Sequence, residues 1–310
     1  MIIKGYNVID KMSNKLVNHK FENMKVSTRT FTATTNLTID IEKISKHVAV
    51  HETDDSRLRG SKGPAMNEAL AAIPVGTIIS VNYLGEIRGI NLKPRKKSKR
   101  WFRNSFTVVV NAGDKLLNFK VCRNGTFQIT GALSFEHAVQ CIQCIWKNIK
   151  STEFYSLPDG EETLTALIIP AMRNLDFTLG IKINRELFDQ YILDINPGYH
   201  CLLETSFGYT GLNVKKKIVK PITDLKILKI TGNNWDGELV SYQEYLDVLT
   251  PEARQTKLKH TRYNTFLVFH SGKIIQSGMS ADFMRDDFYE FCGIINDAHA
   301  AGRIEEKLDQ

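Results

Sequence analysis

Apolar and polar positions alternate along several short stretches of the chain, and two of these stretches give way at once to a helical spacing. Residues 119–132, FKVCRNGTFQITGA, read as a short strand, a glycine-containing tight turn and a second strand ending in glycine, a β-hairpin pattern. In the sixteen residues SFEHAVQCIQCIWKNI that follow, apolar positions 135, 138, 139, 142, 145, 146 and 149 keep to one helical face, with Ser134 in the N-cap position. The same order returns further along. Residues 266–279, FLVFHSGKIIQSGM, predict a second hairpin, and positions 281, 284, 288, 291, 292 and 295 a second amphipathic helix capped at Ser280.

Set against each other without gaps, the two hairpins share Phe119 and Phe266, Val121 and Val268, Gly125 and Gly272, and Gly131 and Gly278, at an offset of 147. Upstream, TRTFTATTNLTIDIEKI (28–44) and MRNLDFTLGIKINRELF (172–188) are each an alternating strand running into a helix start, at an offset of 144. Two similar offsets from separate segments indicate a duplicated unit: strand, helix, several strands, long helix. Further strands are expected within 76–90, 105–111, 199–209 and 211–219. The first copy then spans 25–150, with an insertion at about 49–75 (a polar loop and a short Ala-rich helix) and a basic loop at 91–104. The second spans 163–300, with an insertion at about 220–260 read as a turn followed by a helical stretch. Residues 1–24 are an N-terminal extension, 151–162 a linker and 301–310 a charged tail. The predicted fold class is α+β: tandem repeats forming an antiparallel sheet with helices on one face and the other face open.

Composition is that of an ordinary globular chain, but charge is not evenly spread. Between Arg88 and Arg123 there are eleven Lys/Arg against the single acid Asp114, a local +10 in a chain of net +7. A field this localised predicts a polyanion partner. Its densest part, NLKPRKKSKRWFRNSF (91–106), joins Lys96, Lys97, Lys99, Arg100 and Arg103 to Trp101, Phe102 and Phe106. Alone, such a run also fits a solvated loop or an import signal. Five cysteines, an odd number, speak against a disulfide framework and for a reducing, intracellular compartment. Cys141 and Cys144 form a lone CxxC on a helical pattern, better read as core than as half a zinc site, and no metal or cofactor is expected. No apolar run approaches the length of a membrane span. Motifs for metallohydrolase, phosphate-loop or nucleophile-elbow chemistry are absent from the sequence, so an enzyme is not expected and no catalytic residue is assigned.

The order strand–turn–strand–Gly–helix, present twice and with TFLVFHSGKIIQSG in its second copy, resembles the saddle-shaped core of the TATA-box-binding protein family. The segment 105–132, ending in Thr130, Gly131 and Ala132, is similar to it in length and pattern. The resemblance covers roughly 25–150 and 163–298. It implies a curved antiparallel sheet with helices on the convex face, and a concave face that binds the DNA minor groove and pries base steps apart with aromatic wedges. Wedge candidates are then Phe269 and either Phe207 or Tyr209 in the second copy, and Phe102 or Phe106 in the first. Groove-facing positions are Leu267, Ile275 and Ser277 in one copy, with Thr28, Thr30, Lys120, Cys122, Gln128 and Thr130 in the other. Asn174 stands two residues beyond Met172, which occupies a slot where the family has a groove-reading asparagine. Phosphate contacts fall to Lys96, Lys97, Lys99, Arg100, Arg103, Lys215, Lys216 and Lys273. The first copy departs from the family: Cys122 stands in a wedge slot, Lys120 where its counterpart is Leu267, and Gln128 where its counterpart is Ile275.

By resemblance the chain is expected to be a transcription initiation factor. It would bind and bend double-stranded, AT-rich promoter DNA and recruit a B-type general transcription factor and RNA polymerase machinery, in a nucleus or a viral replication compartment. The alternative is an adaptor of the same fold, or a DNA binder without TATA preference, acting mainly through protein partners.

Overall fold

The computed structural model describes residues 16–53, 56–59, 63–92, 102–195, 198–203 and 211–305. In chain order the strands and helices are β1 (Val26–Thr35), β2 (Thr38–Ile39), α1 (Ile41–His47), α2 (Pro64–Ala71), β3 (Ile78–Tyr83) and β4 (Glu86–Gly89). Next come β5 (Ser105–Asn111), β6 (Leu116–Cys122), β7 (Thr126–Ala132), α3 (Phe135–Ile149), β8 (Tyr155–Ser156) and β9 (Thr165–Thr178). The remainder is α4 (Arg185–Ile195), β10 (Tyr199–Leu203), β11 (Gly211–Lys217), β12 (Lys226–Thr231), β13 (Glu238–Ser241), α5 (Tyr242–Asp247), α6 (Pro251–Lys259), β14 (Tyr263–Phe269), β15 (Lys273–Gly278) and α7 (Ala281–Ala300).

These elements form two compact units. The first joins Ser27–Arg173 to Lys220–His260, and the second joins the described residues up to Val26 to Asn174–Val219 and the chain from Thr261. In the first unit the strand order is β1-β7-β6-β5-β3-β4, and in the second β10-β11-β14-β15-β9; every neighbouring pair from β1 to β4 in the first order, and from β10 to β15 in the second, is antiparallel. Each sheet buries alternate residues under its helices. In the first unit Phe106, Val108, Phe119, Val121, Phe127 and Ile129 pack with Ala138, Ile142 and Ile145 of α3. In the second, Val214, Phe266, Val268 and Ile274 pack with Phe288, Phe291 and Ile295 of α7 and Phe188 of α4. The intervening positions of these strands stay partly or fully exposed. The α+β class, with antiparallel sheets backed by helices, is the one the alternation and helical spacings predict.

The duplication holds to the level of single hydrogen bonds. Thr35 and Ile39 donate their amides to the carbonyls of Gly125 and Arg123, and Leu179 and Ile183 donate theirs to Gly272 and His270. Each hairpin turn closes the same way, Gly125 N–H to Cys122 O and Gly272 N–H to Phe269 O. The first helices of the two copies, α1 and α4, are capped alike: Asp40 Oδ1 accepts from Lys43 N–H, and Asn184 Oδ1 from Leu187 N–H. Both turn glycines have positive φ, +70° and +80°, and a Cβ on either would come within 2.3 Å of Leu37 O or 2.2 Å of Ile181 O.

Three segments differ from the sequence expectation. Residues 220–260 hold two strands besides their helices, and β12 pairs with Thr165–Ile168 of β9, so this stretch belongs to the first unit. The segment read as a linker contributes β8, paired with β2. Residues 16–24, part of the expected extension, pack into the second unit: Val17 and Phe21 are buried there, and Val17 N–H donates to Asn296 Oδ1.

Candidate nucleic-acid interface

On the second unit, the face not covered by helices is set by the β14–β15 hairpin. Leu267 stands opposite Ile275, and Thr265 opposite Ser277. All four are half-buried, one phase away from buried Phe266, Val268, Ile274 and Gln276. Phe269 closes β14 in the same phase, opposite Gly211. Glycine there leaves room for its neighbours, since a Cβ would fall 2.6 Å from Leu267 Cδ1 and 3.7 Å from the Phe269 ring. Asn213 and Lys215 lie across from Leu267 and Thr265, and Leu202 beyond Asn213 is 55% exposed. Asn174 shares its β9 phase with Asp176, whose carboxylate takes an ion pair from Lys273 at 3.2 Å. The surface is thus an apolar strip of Leu267, Ile275 and Phe269 beside Thr265, Ser277 and Asn213, with Lys215 and the Lys273–Asp176 ion pair at its margins.

Lys216 does not belong to it. Alternation turns Lys216 to the helix-covered side, opposite buried Asn264, where it pairs with Asp287 (3.4 Å) and Glu290 and lies over the Tyr199 ring. The expectation of a phosphate contact is corrected here: of the VKKK run, Lys215 is the residue in phase with the open face. Phe207 and Tyr209 lie outside the described residues.

The equivalent face of the first unit is polar. Lys120 stands between Thr107 and Gln128, Gln128 is flanked on its other side by Thr32, and Thr130 lies between Asn118 and Thr30. Thr28 follows in the β1 row, and all of these except exposed Asn118, Gln128 and Thr130 are half-buried. Cys122 lies opposite Ser105, and burial pushes its thiol up while the nearby Lys120 ammonium opposes the shift.

Phe106 is not a wedge. It is 0% exposed and sits in the core with Val108 and Val121, because the phase of β5 points it under the helices. Phe102, four residues earlier, is 75% exposed, and Lys120 Nζ lies 4.6 Å from its ring centroid. An open cleft of about 710 Å³ lies beside it, bordered by Ser105, Lys120, Cys122, Arg123 and Gln128. Arg103 is exposed. Lys96, Lys97, Lys99 and Arg100 fall outside the described residues.

Sequence reasoning missed how α2 is used. Leu70 and Ile73 form a cluster with Leu58, Ile79 and Ile90, against which Val109 and Leu116 also pack. Asn111 Nδ2 donates to the Leu70 and Ile73 carbonyls at 3.1 and 2.8 Å. Val109 and Asn111 share the phase of Thr107, so α2 covers the far end of the otherwise open face. The signal available was Asn111 itself, a polar residue ending a Val-rich strand. Cys141 and Cys144 are core residues of α3; burial raises the Cys141 thiol strongly and pushes Cys144 up to about 12. Among the described residues no three His, Cys, Asp or Glu side chains are grouped to hold a metal ion.

The fold and these faces define an α+β protein built from two copies of one hairpin-and-helix unit, each with a sheet face turned away from its long helix and, in the first unit, covered at one end by α2. No family model matches the chain. It is 26% identical over 229 residues to uncharacterized protein 335L of Invertebrate iridescent virus 6, a match covering 67% of this chain and 64% of that protein. The chain therefore matches less than two thirds of that relative's length. Among solved structures it aligns with Methanococcus jannaschii TBP at a TM-score of 0.42 and 14% identity, over 88% of this chain and 98% of that one. No described helix is long and apolar enough to cross a membrane.

Proposed function

We propose that the chain is a non-enzymatic, double-stranded DNA-binding protein of the TATA-box-binding type. In this reading its bare sheet faces lie in the minor groove of an AT-rich promoter element, bend it and nucleate transcription initiation. The observation that carries the reading is the second unit's face: Leu267 paired with Ile275, Phe269 at the strand end, and Lys215 and Lys273 at its margins. Minor-groove edges of A·T pairs offer acceptors and apolar surface but no exocyclic donor, so a flush apolar strip suits them. An aromatic ring at the strand end replaces stacking lost when a base step opens. The margin lysines, Arg103 and the 93–100 run supply phosphate contacts. A B-type general transcription factor and RNA polymerase machinery are the partners this reading implies. The viral source of protein 335L supports an origin in a large DNA virus, with action in a nucleus or viral replication compartment.

The test is binding and bending of AT-rich and GC-rich duplexes, followed by energy transfer between end labels. Phe269→Ala is expected to weaken binding by about tenfold to a hundredfold, the worth of one base–aromatic stack, and to reduce the bend. A variant that bends DNA as wild type does would remove Phe269 from the mechanism. A second reading, an adaptor of the same fold, is favoured by α2 covering part of the first unit's face. Equal affinity for all duplexes with no bend would select it.

A further inference from the structure

The bare faces of the two units are built alike but carry opposite chemistry at matching positions. Where the second unit sets Leu267 against Ile275, the first sets Lys120 against Gln128; where the second has Thr265 against Ser277, the first has Asn118 against Thr130. Thr32 lies on the other side of Gln128 and Thr107 on the other side of Lys120, so the amide and the ammonium are surrounded by small hydroxyls. Gln128 and Asn118 are both exposed on this face, and the Thr130 hydroxyl is spent on the Asn118 backbone carbonyl rather than on either side-chain amide. Their carbonyl oxygens are therefore available as acceptors on a face whose other groups mainly donate.

In the minor groove, A·T pairs present only acceptors, while G·C adds the guanine N2 amino donor near the groove centre. Against Leu267 and Ile275 that amino group would lose water and gain no partner, at a cost of roughly 1–3 kcal/mol. Opposite Gln128 and Asn118 it meets an acceptor, while Lys120 and the threonine hydroxyls can donate to pyrimidine O2 and purine N3. We propose that the first unit's face reads G·C-containing steps in the minor groove through Gln128, Asn118 and Lys120, while the second unit's face excludes them. The DNA target is then a composite of an A·T-only block and a block containing guanine. This rests on the duplex-binding reading above.

The experiment is selection of bound duplexes from a random pool with the full chain, followed by base-analogue substitution in the selected sequence. The expected consensus has two blocks of different composition. Replacing the selected guanines by inosine, which lacks only the N2 amino group, should weaken binding by roughly two- to tenfold, the worth of one hydrogen bond. Replacing adenine by 2,6-diaminopurine in the A·T-only block, which adds that amino group, should weaken it as well. The double variant K120L/Q128I should lose the inosine effect and select A·T throughout. Both side chains lie on the open face, and matched thermal melts check that the variant folds; the inosine arm on wild type stands without it. A consensus of A·T alone, or inosine binding as well as guanine, overturns the proposal while leaving duplex binding intact. No enrichment of any duplex overturns both.

Discussion

Phe106 of β5 is fully buried in the core between its sheet and the helical layer, so truncating it to alanine removes a buried ring and leaves a cavity the surrounding β-sheet cannot close. Phe106→Ala is expected to cost about 3–5 kcal/mol of stability. Phe102→Ala, at a ring 75% exposed, is expected to change stability by less than about 0.5 kcal/mol while lowering DNA affinity. Denaturant unfolding of the two variants, set beside duplex binding, checks the assignment. The sequence left these two phenylalanines as equal wedge candidates because both follow the basic run. Only the phase of β5, fixed by its pairing with β3 and β6, separates them. Lys215 and Lys216 are divided by the same rule: one step along a strand reverses the face, and a lysine turned inward needs the carboxylates of Asp287 and Glu290.

At the scale of elements, the two hairpins were legible because turn chemistry is local. A glycine at the end of each turn satisfies a left-handed backbone and a close approach to a neighbouring carbonyl. Gly125→Ala and Gly272→Ala are each expected to destabilise by about 1–3 kcal/mol, because the same conformation and the same contact recur in both copies. Matched shifts in the urea midpoint would check this, and a null effect at either would contradict the equivalence. The long helices α3 and α7 were equally plain, since one face of each is apolar over its length. Strands β12 and β13 were not. Ile227 and Leu228 are adjacent and both buried, which breaks the two-residue alternation of the short β12, and its pairing with β9 joins residues some sixty positions apart. The packing of α2 over Val109 and Asn111 was hidden for the same reason: a short helix does not announce which surface it will cover.

For the molecule as a whole, charge and burial set two measurable responses. Neutralising Lys96, Lys97, Lys99 and Arg100 together should weaken binding to all duplex sequences and flatten the dependence of affinity on salt, by about one unit of slope for each phosphate contact removed. Burial pushes Cys144, Cys201 and Cys292 each up to about 12, so all three stay protonated in the folded chain where an unfolded chain would already ionise. The unfolded state then holds fewer protons above its own thiol pKa, so these groups are neutral to stability below about pH 8.5 and subtract from it as pH rises from there toward about 12. Thermal melts across that range should fall, and Cys144→Ser, which removes one of the three thiols, should make the fall shallower. The sequence by itself determined the duplication, the hairpin turns, the two amphipathic helices and the basic segment, because each is written in neighbours a few residues apart. Tertiary structure alone decided which phenylalanine is core, which lysine is turned inward, where residues 220–260 attach and how far α2 covers the open face. Those outcomes depend on strand register and long-range pairing, and no local pattern encodes which distant surface a side chain will meet.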